Sequence, residues 1–419
     1  MTDLKSICER AKAAKTELNY LTEEKINAAL KECAAAIKEH AEEIKAANLE
    51  DVKSAREKGL SDAFIDRLTV TDGVIDSITA GIEEIIAAKS PVGKVVYTYF
   101  NKEQGIDVVK KAVPFGVVGI IFESRPNVTA DAFALSFKTA NAVILKGGSD
   151  AIRTNSAMVK VLKSALTKSG VTEDAVNLIE DASRETATAF MKMDKYVDLL
   201  IPRGSASLIK ATVENATVPV IETGAGNCHV YVDEFADKDT AVKVIFNAKT
   251  QRYSVCNACE SLVIHEKILN SVLPEIYSKL QEKKVKMYCD EKSFAVLNGK
   301  ENVFPATEED FYKEYGAAEI SVKTVDSLDC AIEHINRCST HHSESIITKD
   351  KERAAKFMND VDSAVVYENA STRFSDGFLF GLGAEIGIST QKLHARGPMG
   401  LEALCTTKYF VKGDGAVRK

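Results

Sequence analysis

Five short apolar runs, separated by segments of helical composition, constrain the fold of this chain more than any other feature. They cover residues 117–122, 142–145, 176–179, 197–201 and 218–221. Runs without polar alternation are typical of strands buried on both faces, and the short intervening segments favour parallel pairing. The pattern predicts a doubly wound α/β sheet, which binds ligands beyond the carboxyl ends of its strands.

Other patterns flank this predicted sheet. Apolar residues recur at helical spacing after Thr22, which predicts amphipathic helices at the start of the chain. Residues 94–112 predict a β-hairpin with a polar tip. A second α/β arrangement is predicted from about residue 237 to residue 398. Its strands, after a further apolar run at 228–232, are expected at 261–265, 319–324, 345–347 and 364–367.

Composition excludes several classes of protein. At about 150 residues per domain, 419 residues correspond to two or three domains. The 54 Lys and Arg residues against 61 Asp and Glu leave a net charge of −7, which gives no basic footprint for nucleic acid. The apolar runs are far shorter than the ~20 residues that span a bilayer, and residues 1–15 lack the apolar core of a presequence. Since the nine cysteines are scattered, we expect a cytoplasmic protein with reduced thiols.

Two strand-to-helix junctions carry residues suited to anions. The usual glycine fingerprint of dinucleotide-binding folds is absent after the first predicted strand. The junction residues are Lys146, Gly147 and Ser149 after the second strand, and Arg203, Gly204 and Ser205 after the fourth. A cation can hold a ribose or a phosphate, and a helix N-terminus, with Ser149 as the predicted N-cap of the first helix, favours a phosphate. Ordinary strand-to-helix turns are the alternative for both junctions.

Two neighbouring cysteines, Cys256 and Cys259, allow three interpretations. The first is a redox or metal-binding pair, but no second cysteine or histidine pair completes a metal site, so we expect no metal. The second is a nucleophilic Cys256, whose thiolate is favoured by the nearby Lys249 and Arg252 and by a helix N-terminus after Ser254. The third is a buried structural cysteine. Residue types alone leave these alternatives open.

Glu222 follows the fifth predicted strand and precedes a glycine-rich turn at residues 223–227. It lies at the same predicted sheet edge as the two anion junctions, which makes it a candidate base. A carboxylate that caps a surface loop is the alternative. The histidines His341, His342 and His394 lack the partners of a metal site, so we expect them to face solvent or substrate.

Several of these segments together resemble the aldehyde dehydrogenase superfamily. They are residues 113–119, 125–129, 221–224 and the segment around Cys256. More closely, the chain is similar to the γ-glutamyl phosphate reductase family. The hallmarks of that family match residues 122–127, 226–233, 247–252 and 383–400, and the last of these motifs is highly specific. The similarity spans nearly the whole chain.

The resemblance implies an aldehyde-dehydrogenase-like fold and NADPH-dependent reduction of L-glutamyl 5-phosphate to L-glutamate 5-semialdehyde and phosphate, the second step of proline biosynthesis. By motif position, Cys256 is the nucleophile that forms a thioester, and Cys259 is a packing residue. Asn127 matches the side chain that stabilises the oxyanion together with the backbone N–H of Cys256. Glu222 matches the residue that activates water in hydrolytic relatives, although hydrolysis would waste this thioester.

The same resemblance assigns cofactor and substrate contacts. It places the adenosine end of NADPH near Lys146 and the pyrophosphate near Gly204 and Ser205. Three arginines are expected to bind the phosphate and the α-carboxylate of the substrate: Arg252, Arg373 and Arg396.

Domain organisation and partners also follow from the resemblance. Residues 1–92 and 113–234 are expected to form an NADPH-binding domain, and residues 235–398 a catalytic domain. Residues 93–112 and 399–419 are expected to form an oligomerisation hairpin and a C-terminal strand. The implied partners are further copies of this chain. A complex with glutamate 5-kinase, which makes the labile acyl phosphate, is a further alternative on which the sequence is silent.

Two alternative functions remain open from the sequence. One is an aldehyde or acyl-thioester dehydrogenase that acts on another substrate, because the fold alone does not fix the acyl group. The other is a non-catalytic dinucleotide-binding or redox-sensing protein that uses Cys256 and Cys259.

Overall fold

The computed structural model describes residues 2–123 and 125–418. Ser124, within the 122–127 motif, therefore lies outside the described residues. The chain divides into two compact units. The first is formed by the chain up to Glu222, by Gly381–Gly387 and by the chain from Met399 onward, and the second by Thr223–Phe380 and Ile388–Pro398.

The helices begin where the sequence supplies capping side chains. As predicted, the Thr22 hydroxyl accepts a hydrogen bond from the backbone N–H of Lys25 at the start of α2, and Ser61 and Thr71 cap α4 and α5 in the same way. The helices of the first unit are α1 (Thr2–Leu18), α2 (Glu23–Glu39), α3 (Ala41–Glu57), α4 (Asp62–Leu68), α5 (Asp72–Ala87), α6 (Asn127–Lys138), α7 (Ile152–Lys168), α8 (Arg184–Phe190) and α9 (Ala206–Asn215). Those of the second unit are α10 (Lys238–Thr250), α11 (Glu266–Gln281), α12 (Glu291–Val296), α13 (Leu328–Cys338) and α14 (Lys351–Asp360). No helix in the part of the chain that the structure describes is long and apolar enough to cross a membrane.

The strands form four sheets. In the first unit they are β1 (Val95–Asn101), β2 (Ile106–Pro114), β3 (Val117–Phe122), β4 (Ala142–Lys146), β5 (Val176–Leu178) and β6 (Leu199–Arg203). In the second unit they are β7 (Cys228–Val232), β8 (Cys259–His265), β9 (Lys286–Cys289), β10 (Val303–Pro305), β11 (Glu319–Val325), β12 (Ser343–Ile347), β13 (Val365–Glu368), β14 (Ile388–Ser389) and β15 (Gly397–Pro398). The last strand, β16 (Cys405–Gly413), returns to the first unit.

The first unit contains the predicted parallel sheet, in the order β5-β4-β3-β6. The run at 218–221 differs from the prediction, because it forms a single bridge between Leu200 and Val220 rather than a fifth strand. Pro219 in this run has no N–H with which to extend the hydrogen-bond ladder. Register places Lys146 opposite Ile121 and Arg203 opposite Phe122, so both junctions follow strands that end side by side.

The second unit contains a seven-stranded parallel sheet in the order β10-β9-β11-β8-β7-β12-β13. The short strands β9 and β10, at one side of this sheet, were not predicted from the sequence. Residues 223–234 belong to this unit, whereas the sequence analysis assigns them to the first domain. The reason is that β7 pairs with β8 and β12 within the larger sheet.

The predicted hairpin forms from β1 and β2, and β16 pairs with the other edge of β2. Both strand pairings in this small sheet are antiparallel. Large apolar side chains of the sheet are exposed to solvent, including Val95, Val96, Tyr97, Tyr99, Phe100, Tyr409 and Val411. An exposed apolar sheet of this kind is typical of a protein interface.

Candidate active site

Cys256 lies in a turn between α10 and β8, and its side chain is half-buried. The expected helix N-terminus after Ser254 is wrong, because residues 253–258 form bends and turns that lead directly into β8. Gly226 lies against this turn so closely that a Cβ there would be 1.4 Å from the carbonyl oxygen of Cys256. The backbone of this turn at residues 253–258, called the nucleophile turn below, is thus fixed by contact with the segment that enters β7.

A buried polar network lies behind this turn. The Cys228 thiol donates a hydrogen bond to the carbonyl oxygen of Cys256 at 3.1 Å, and the same sulfur is 3.6 Å from Nδ1 of His342. His342 Nδ1 lies 2.8 Å from the Ser343 hydroxyl, which contacts the Ser375 hydroxyl at 2.5 Å. Residue types alone did not reveal this network. The available signal is the polar sequence at 342–345, which is buried and forms most of β12.

The expectation that His342 faces solvent or substrate is wrong, because its side chain is fully buried. Burial lowers the pKa of His342 to about 4, so the imidazole is neutral at physiological pH. A neutral ring suits its position among the uncharged Cys228 thiol and Ser343 hydroxyl.

Cys259 is fully buried at the start of β8, opposite Cys228 in β7. Its thiol donates to the carbonyl oxygen of Ser261 at 3.4 Å, and burial raises its pKa to about 12. This environment fits a packing residue, as the resemblance implies. All nine cysteines are free thiols, and no group of three His, Cys, Asp or Glu side chains among the described residues could hold a metal ion.

Lys249, which the sequence analysis expects to favour the Cys256 thiolate, forms a buried ion pair. Its ammonium lies 2.7 Å from the Glu260 carboxylate, and both side chains are fully buried. Burial raises the pKa of Glu260 to about 7, and the Lys249 charge opposes that shift. Because α10 and β8 supply one partner each, this ion pair fixes the two elements that flank the nucleophile turn.

Of the three candidate arginines, Arg373 is hydrogen-bonded to the segment around Cys256. Its guanidinium is half-buried, and its Nε donates to the side-chain oxygen of Gln251 at 2.8 Å. Burial lowers the pKa of Arg373, the Cys256 thiol opposes the shift, and the charge on Arg252 adds to it. Arg252 itself is exposed beside the same turn.

Arg396 has a different environment. Its guanidinium donates to a side-chain oxygen of Asp362 at 2.8 Å and to the backbone oxygen of the same residue at 3.1 Å. Lys392 also contacts Asp362, at 2.6 Å. Hydrogen bonds from Lys392, the larger cause, and from Arg396 lower the pKa of Asp362 to about 2. The Arg396 guanidinium is thus held by a carboxylate of its own chain.

In the first unit, Lys146 ends β4 with its side chain buried, and its ammonium lies 3.3 Å from the backbone oxygen of Gly147. Burial lowers the pKa of Lys146, and Asp181 opposes that shift. Ser149 is exposed and begins a short 3-10 helix whose N-cap is Gly148, so the prediction of Ser149 as N-cap is wrong. The backbone turns at Gly147 and Gly148, so the helix has already begun at Ser149.

The other junction is occupied by a carboxylate of the chain itself. Ser205 caps α9, with its hydroxyl accepting from the backbone N–H of Leu208 at 3.4 Å. The Glu123 carboxylate accepts hydrogen bonds from the backbone N–H of Ser205 at 2.9 Å and from its hydroxyl at 2.6 Å. Gly204 lies against the same carboxylate, and Arg203 is half-buried at the end of β6. Sequence analysis did not single out Glu123, although it lies in the 122–127 motif.

Asn127 is the first residue of α6 and is exposed. Its amide nitrogen donates to the Asp131 carboxyl at 3.0 Å, one helical turn further along. Burial raises the pKa of Asp131 to about 6, and the hydrogen bond from Asn127 opposes the shift. Glu222 is half-buried at the point where the chain leaves the first unit.

Comparison with known proteins relates the chain to one family. The family model described as the aldehyde dehydrogenase family matches residues 1–296. The gamma-glutamyl phosphate reductases of Agathobacter rectalis and Lachnospira eligens are 53% and 52% identical to this chain, and each match covers 100% of both chains.

Solved structures give the same relationship. The crystal structure of gamma-glutamyl phosphate reductase from Thermotoga maritima matches with a TM-score of 0.96 and 44% identity, covering 99% of this chain and 100% of that one. An acetylating aldehyde dehydrogenase from Geobacillus thermoglucosidasius matches with a TM-score of 0.70 at 18% identity over 100% of this chain and 98% of that one. At that identity the similarity shows the fold alone.

Proposed function

Because the chain belongs to the aldehyde dehydrogenase family, and within it to the gamma-glutamyl phosphate reductases, we propose that it reduces L-glutamyl 5-phosphate to L-glutamate 5-semialdehyde and phosphate. This is the second step of proline biosynthesis. One observation carries the chemistry: a half-buried Cys256 in a turn fixed by Gly226, with the Arg373 guanidinium coupled to it electrostatically. A thiol beside a cation is suited to attack on an anionic acyl substrate.

In the first step the Cys256 thiolate attacks the acyl carbonyl carbon, and a C–S bond forms. The carbonyl electrons move to oxygen, and the backbone N–H of Cys256 is proposed to donate a hydrogen bond to this oxyanion. Asn127 is proposed as a second donor on the family resemblance alone. The carbonyl then re-forms, the C–O bond to phosphate breaks, and phosphate leaves with the bonding electrons. The product of this half-reaction is a thioester on Cys256.

Proteins of the aldehyde dehydrogenase family use a nicotinamide dinucleotide, and bound NADPH supplies the hydride that reduces the thioester carbonyl. Cys256 then leaves the resulting thiohemiacetal as a thiolate, the C=O bond forms again, and the aldehyde is released. Glu222 does not need to activate water in this sequence, and exclusion of water protects the thioester. We therefore assign Glu222 no hydrolytic role.

The first unit has residues that fit the cofactor. The buried Lys146 ammonium ends β4 beside the end of β3, where Arg203, Gly204 and Ser205 follow the neighbouring β6. Lys146, Gly147 and Ser149 are proposed to hold the adenosine ribose and its phosphate, and the α9 N-terminus to hold the pyrophosphate.

NADPH rather than NADH is favoured by the side chains that follow β4. NAD-binding folds use an acidic residue to hold the ribose 2′-hydroxyl, and that residue repels a 2′-phosphate. Here the exposed side chain in the turn is Ser149, and the next residue, Asp150, has its carboxylate paired with Lys58 at 2.8 Å. Lys146 supplies the positive charge that a 2′-phosphate requires.

Arg373 and Arg252 are proposed to bind the phosphate and the α-carboxylate of the substrate. Arg373 is the better supported of the two, because its pKa reflects coupling to the reacting thiol. Arg396 belongs to the proposed set by resemblance, and it would have to exchange Asp362 for the substrate.

The small sheet of β1, β2 and β16 is proposed to join copies of this chain into a homo-oligomer, because its two outer strands expose large apolar side chains. Glutamate 5-kinase is a proposed second partner, since its acyl phosphate product is labile in water. The free thiols throughout the chain support a reducing, cytoplasmic location.

The test is reduction of NADP⁺ by glutamate 5-semialdehyde, followed with and without inorganic phosphate. Phosphate-dependent turnover that disappears in Cys256→Ala and persists in Cys259→Ala is the expected result. Turnover without phosphate indicates a hydrolytic aldehyde dehydrogenase with Glu222 as base. Absence of turnover in folded protein, with NADP⁺ binding retained, indicates a non-catalytic dinucleotide-binding protein.

A further inference from the structure

The segment that carries Arg373 is attached to the nucleophile turn by hydrogen bonds from two buried side chains. The amide nitrogen of Asn257 donates to the backbone oxygen of Ser375 at 2.8 Å and to that of Arg373 at 3.4 Å. In return, the Thr372 hydroxyl donates to the backbone oxygen of Asn257 at 2.8 Å. Asn257 is 6% exposed and Thr372 is fully buried, so water does not compete for these bonds.

The geometry of the Asn257 amide is dictated by this segment. Its nitrogen makes both of the hydrogen bonds above, whereas its oxygen accepts none from the residues that the structure describes. Leaving a buried acceptor unsatisfied is costly, so the hydrogen bonding of the amide oxygen does not explain the orientation of the amide. It is explained by the two backbone oxygens of residues 373 and 375 that the nitrogen holds.

The guanidinium of Arg373 is oriented from the other end of the same turn. Gln251 follows α10, and its side-chain oxygen accepts from Nε of Arg373 at 2.8 Å. Gln251 and Asn257 both belong to the segment around Cys256. Hydrogen bonds therefore connect both the backbone and the guanidinium of Arg373 to the segment that carries Cys256. The positions of the Arg373 backbone and of its guanidinium are both set by these contacts.

We propose that Asn257 and Thr372 are positioning residues that hold the Arg373 cation at a fixed distance from the Cys256 sulfur, and that this distance selects the length of the anionic acyl substrate. This inference rests on the proposed function, because it takes Arg373 to bind the α-carboxylate of that substrate. In a substrate whose α-carboxylate lies one methylene closer to the reacting carbonyl, that carboxylate would lose the contact with Arg373 when Cys256 attacks.

The first test does not require turnover. Iodoacetate and iodoacetamide alkylate the same thiol, but only iodoacetate is anionic, so the ratio of their rates at Cys256 reports the positive charge near the sulfur. The rates are measured in the full-length protein by mass spectrometry of the Cys256 peptide. In Arg373→Ala this ratio is expected to fall about tenfold relative to the unmodified chain, which corresponds to about 1.4 kcal/mol.

The positioning variants are Asn257→Ala and Thr372→Val. Each is expected to lower the iodoacetate-to-iodoacetamide ratio toward that of Arg373→Ala, while the iodoacetamide rate stays within about twofold of the original. Asn336→Ala is the matched control, because that amide also bridges two backbone groups, Asp360 and Asp362, in the same unit. Its ratio is expected to remain unchanged.

Three results would overturn the inference. A normal ratio in Asn257→Ala and Thr372→Val, with a lowered ratio in Arg373→Ala, shows that the hydrogen bonds do not position the cation. An equal loss of both alkylation rates shows a general disruption of the turn. A normal ratio in Arg373→Ala shows that its charge does not act on the thiol.

The second test concerns substrate length. The ratio of kcat/KM for glutamate 5-semialdehyde to that for the shorter aspartate 4-semialdehyde is expected to fall about tenfold in Asn257→Ala, with most of the change in KM for the longer substrate. An unchanged ratio rejects the selection of length. If neither substrate turns over in the unmodified chain while the alkylation ratios behave as expected, the proposed function fails and the positioning of Arg373 stands.

Discussion

The Glu123 carboxylate accepts two hydrogen bonds from Ser205, one from the backbone N–H at 2.9 Å and one from the hydroxyl at 2.6 Å. Ser205 is the N-cap of α9, a position that favours an anion and that we propose for the cofactor pyrophosphate. The carboxylate therefore competes with the phosphate for the same donors. Glu123→Gln removes the competing charge while keeping the size of the side chain.

We expect Glu123→Gln to lower KM for NADPH about threefold to tenfold with little change in kcat, because removal of an anion near a helix N-terminus changes the local free energy by about 1 kcal/mol. Steady-state kinetics with varied NADPH measure the effect. Glu180→Gln, on an exposed carboxylate of the same unit, is a suitable control. A higher KM in Glu123→Gln would show instead that Glu123 holds the cofactor.

Gly226→Ala is expected to abolish most of the activity. The added Cβ would lie 1.4 Å from the carbonyl oxygen of Cys256, so the nucleophile turn must move. A displacement of about 1 Å at reacting atoms costs about 100-fold in kcat. The added methyl group also destabilises the second unit by about 1–3 kcal/mol.

The control for this substitution is Gly73→Ala in α5, where the nearest atom to an added Cβ is 3.7 Å away. Activity and urea unfolding midpoints are measured for both variants. Near-normal kcat in a folded Gly226→Ala protein would contradict the close contact between Gly226 and Cys256.

The sheets were largely predictable because buried parallel strands have an unmistakable pattern. The runs at 117–122 and 142–145 became central strands at nearly the predicted bounds. The strand predicted at 218–221 does not form, because Pro219 has no N–H to extend the hydrogen-bond ladder. An analysis of apolar composition does not detect the missing N–H. The strands β9 and β10 were missed because neither is an uninterrupted apolar run: β9 begins at the exposed Lys286, and the three residues of β10 end at Pro305.

The candidate site was less predictable, because its contacts depend on which side chains the fold brings together. Sequence proximity suggested that Lys249 acts on Cys256, but it did not indicate that the Lys249 ammonium on α10 pairs with the Glu260 carboxylate on β8. Conversely, Asn257 and Thr372 are distant in sequence and interact directly. Motif position identified Cys256, but neither motif nor spacing indicated that Cys228 and His342 lie behind it.

The stability of the protein is expected to fall on acidification because two histidines are buried as neutral rings. Burial lowers the pKa of His342 to about 4 and that of His334 to about 3, against 6.5 for an exposed histidine. The unfolded chain therefore binds more protons between these values, so the stabilisation is complete above pH 6.5 and is lost as the pH falls below it. Each histidine contributes a slope of about 1.4 kcal/mol per pH unit.

Urea unfolding at about pH 7.5 and about pH 5.5 measures this slope. His334→Phe is expected to reduce it, because a phenyl ring keeps the edge-on contact with Phe311 without titrating. His40→Gln is the control, since His40 is partly exposed beside Glu43 at a helix end. An unchanged slope in His334→Phe would show that His334 does not titrate in this range.

Lys249→Met is expected to destabilise the second unit by about 3–5 kcal/mol, because it leaves the Glu260 carboxyl buried without its cation. Burial already raises the pKa of Glu260 to about 7, so the loss is larger above pH 7, where the carboxyl would be charged, than below it. The double variant with Glu260→Met should regain most of the lost stability. Chemical unfolding of both variants tests this, and a double variant as unstable as Lys249→Met alone would contradict it.

Assembly of the protein is expected to depend on the exposed sheet. Tyr99 in β1 is about half exposed, as is Val411 in β16, and both lie opposite Val108 of the central strand β2. Apolar residues this exposed on one sheet are typical of an interface. Tyr99→Glu places a charge in that surface, so we expect the assembly to dissociate to smaller species in size-exclusion chromatography with light scattering. Val417→Glu, in the exposed C-terminal tail, should leave the assembly intact. A monomeric unmodified chain, or a Tyr99→Glu variant of unchanged mass, would exclude this sheet as the interface.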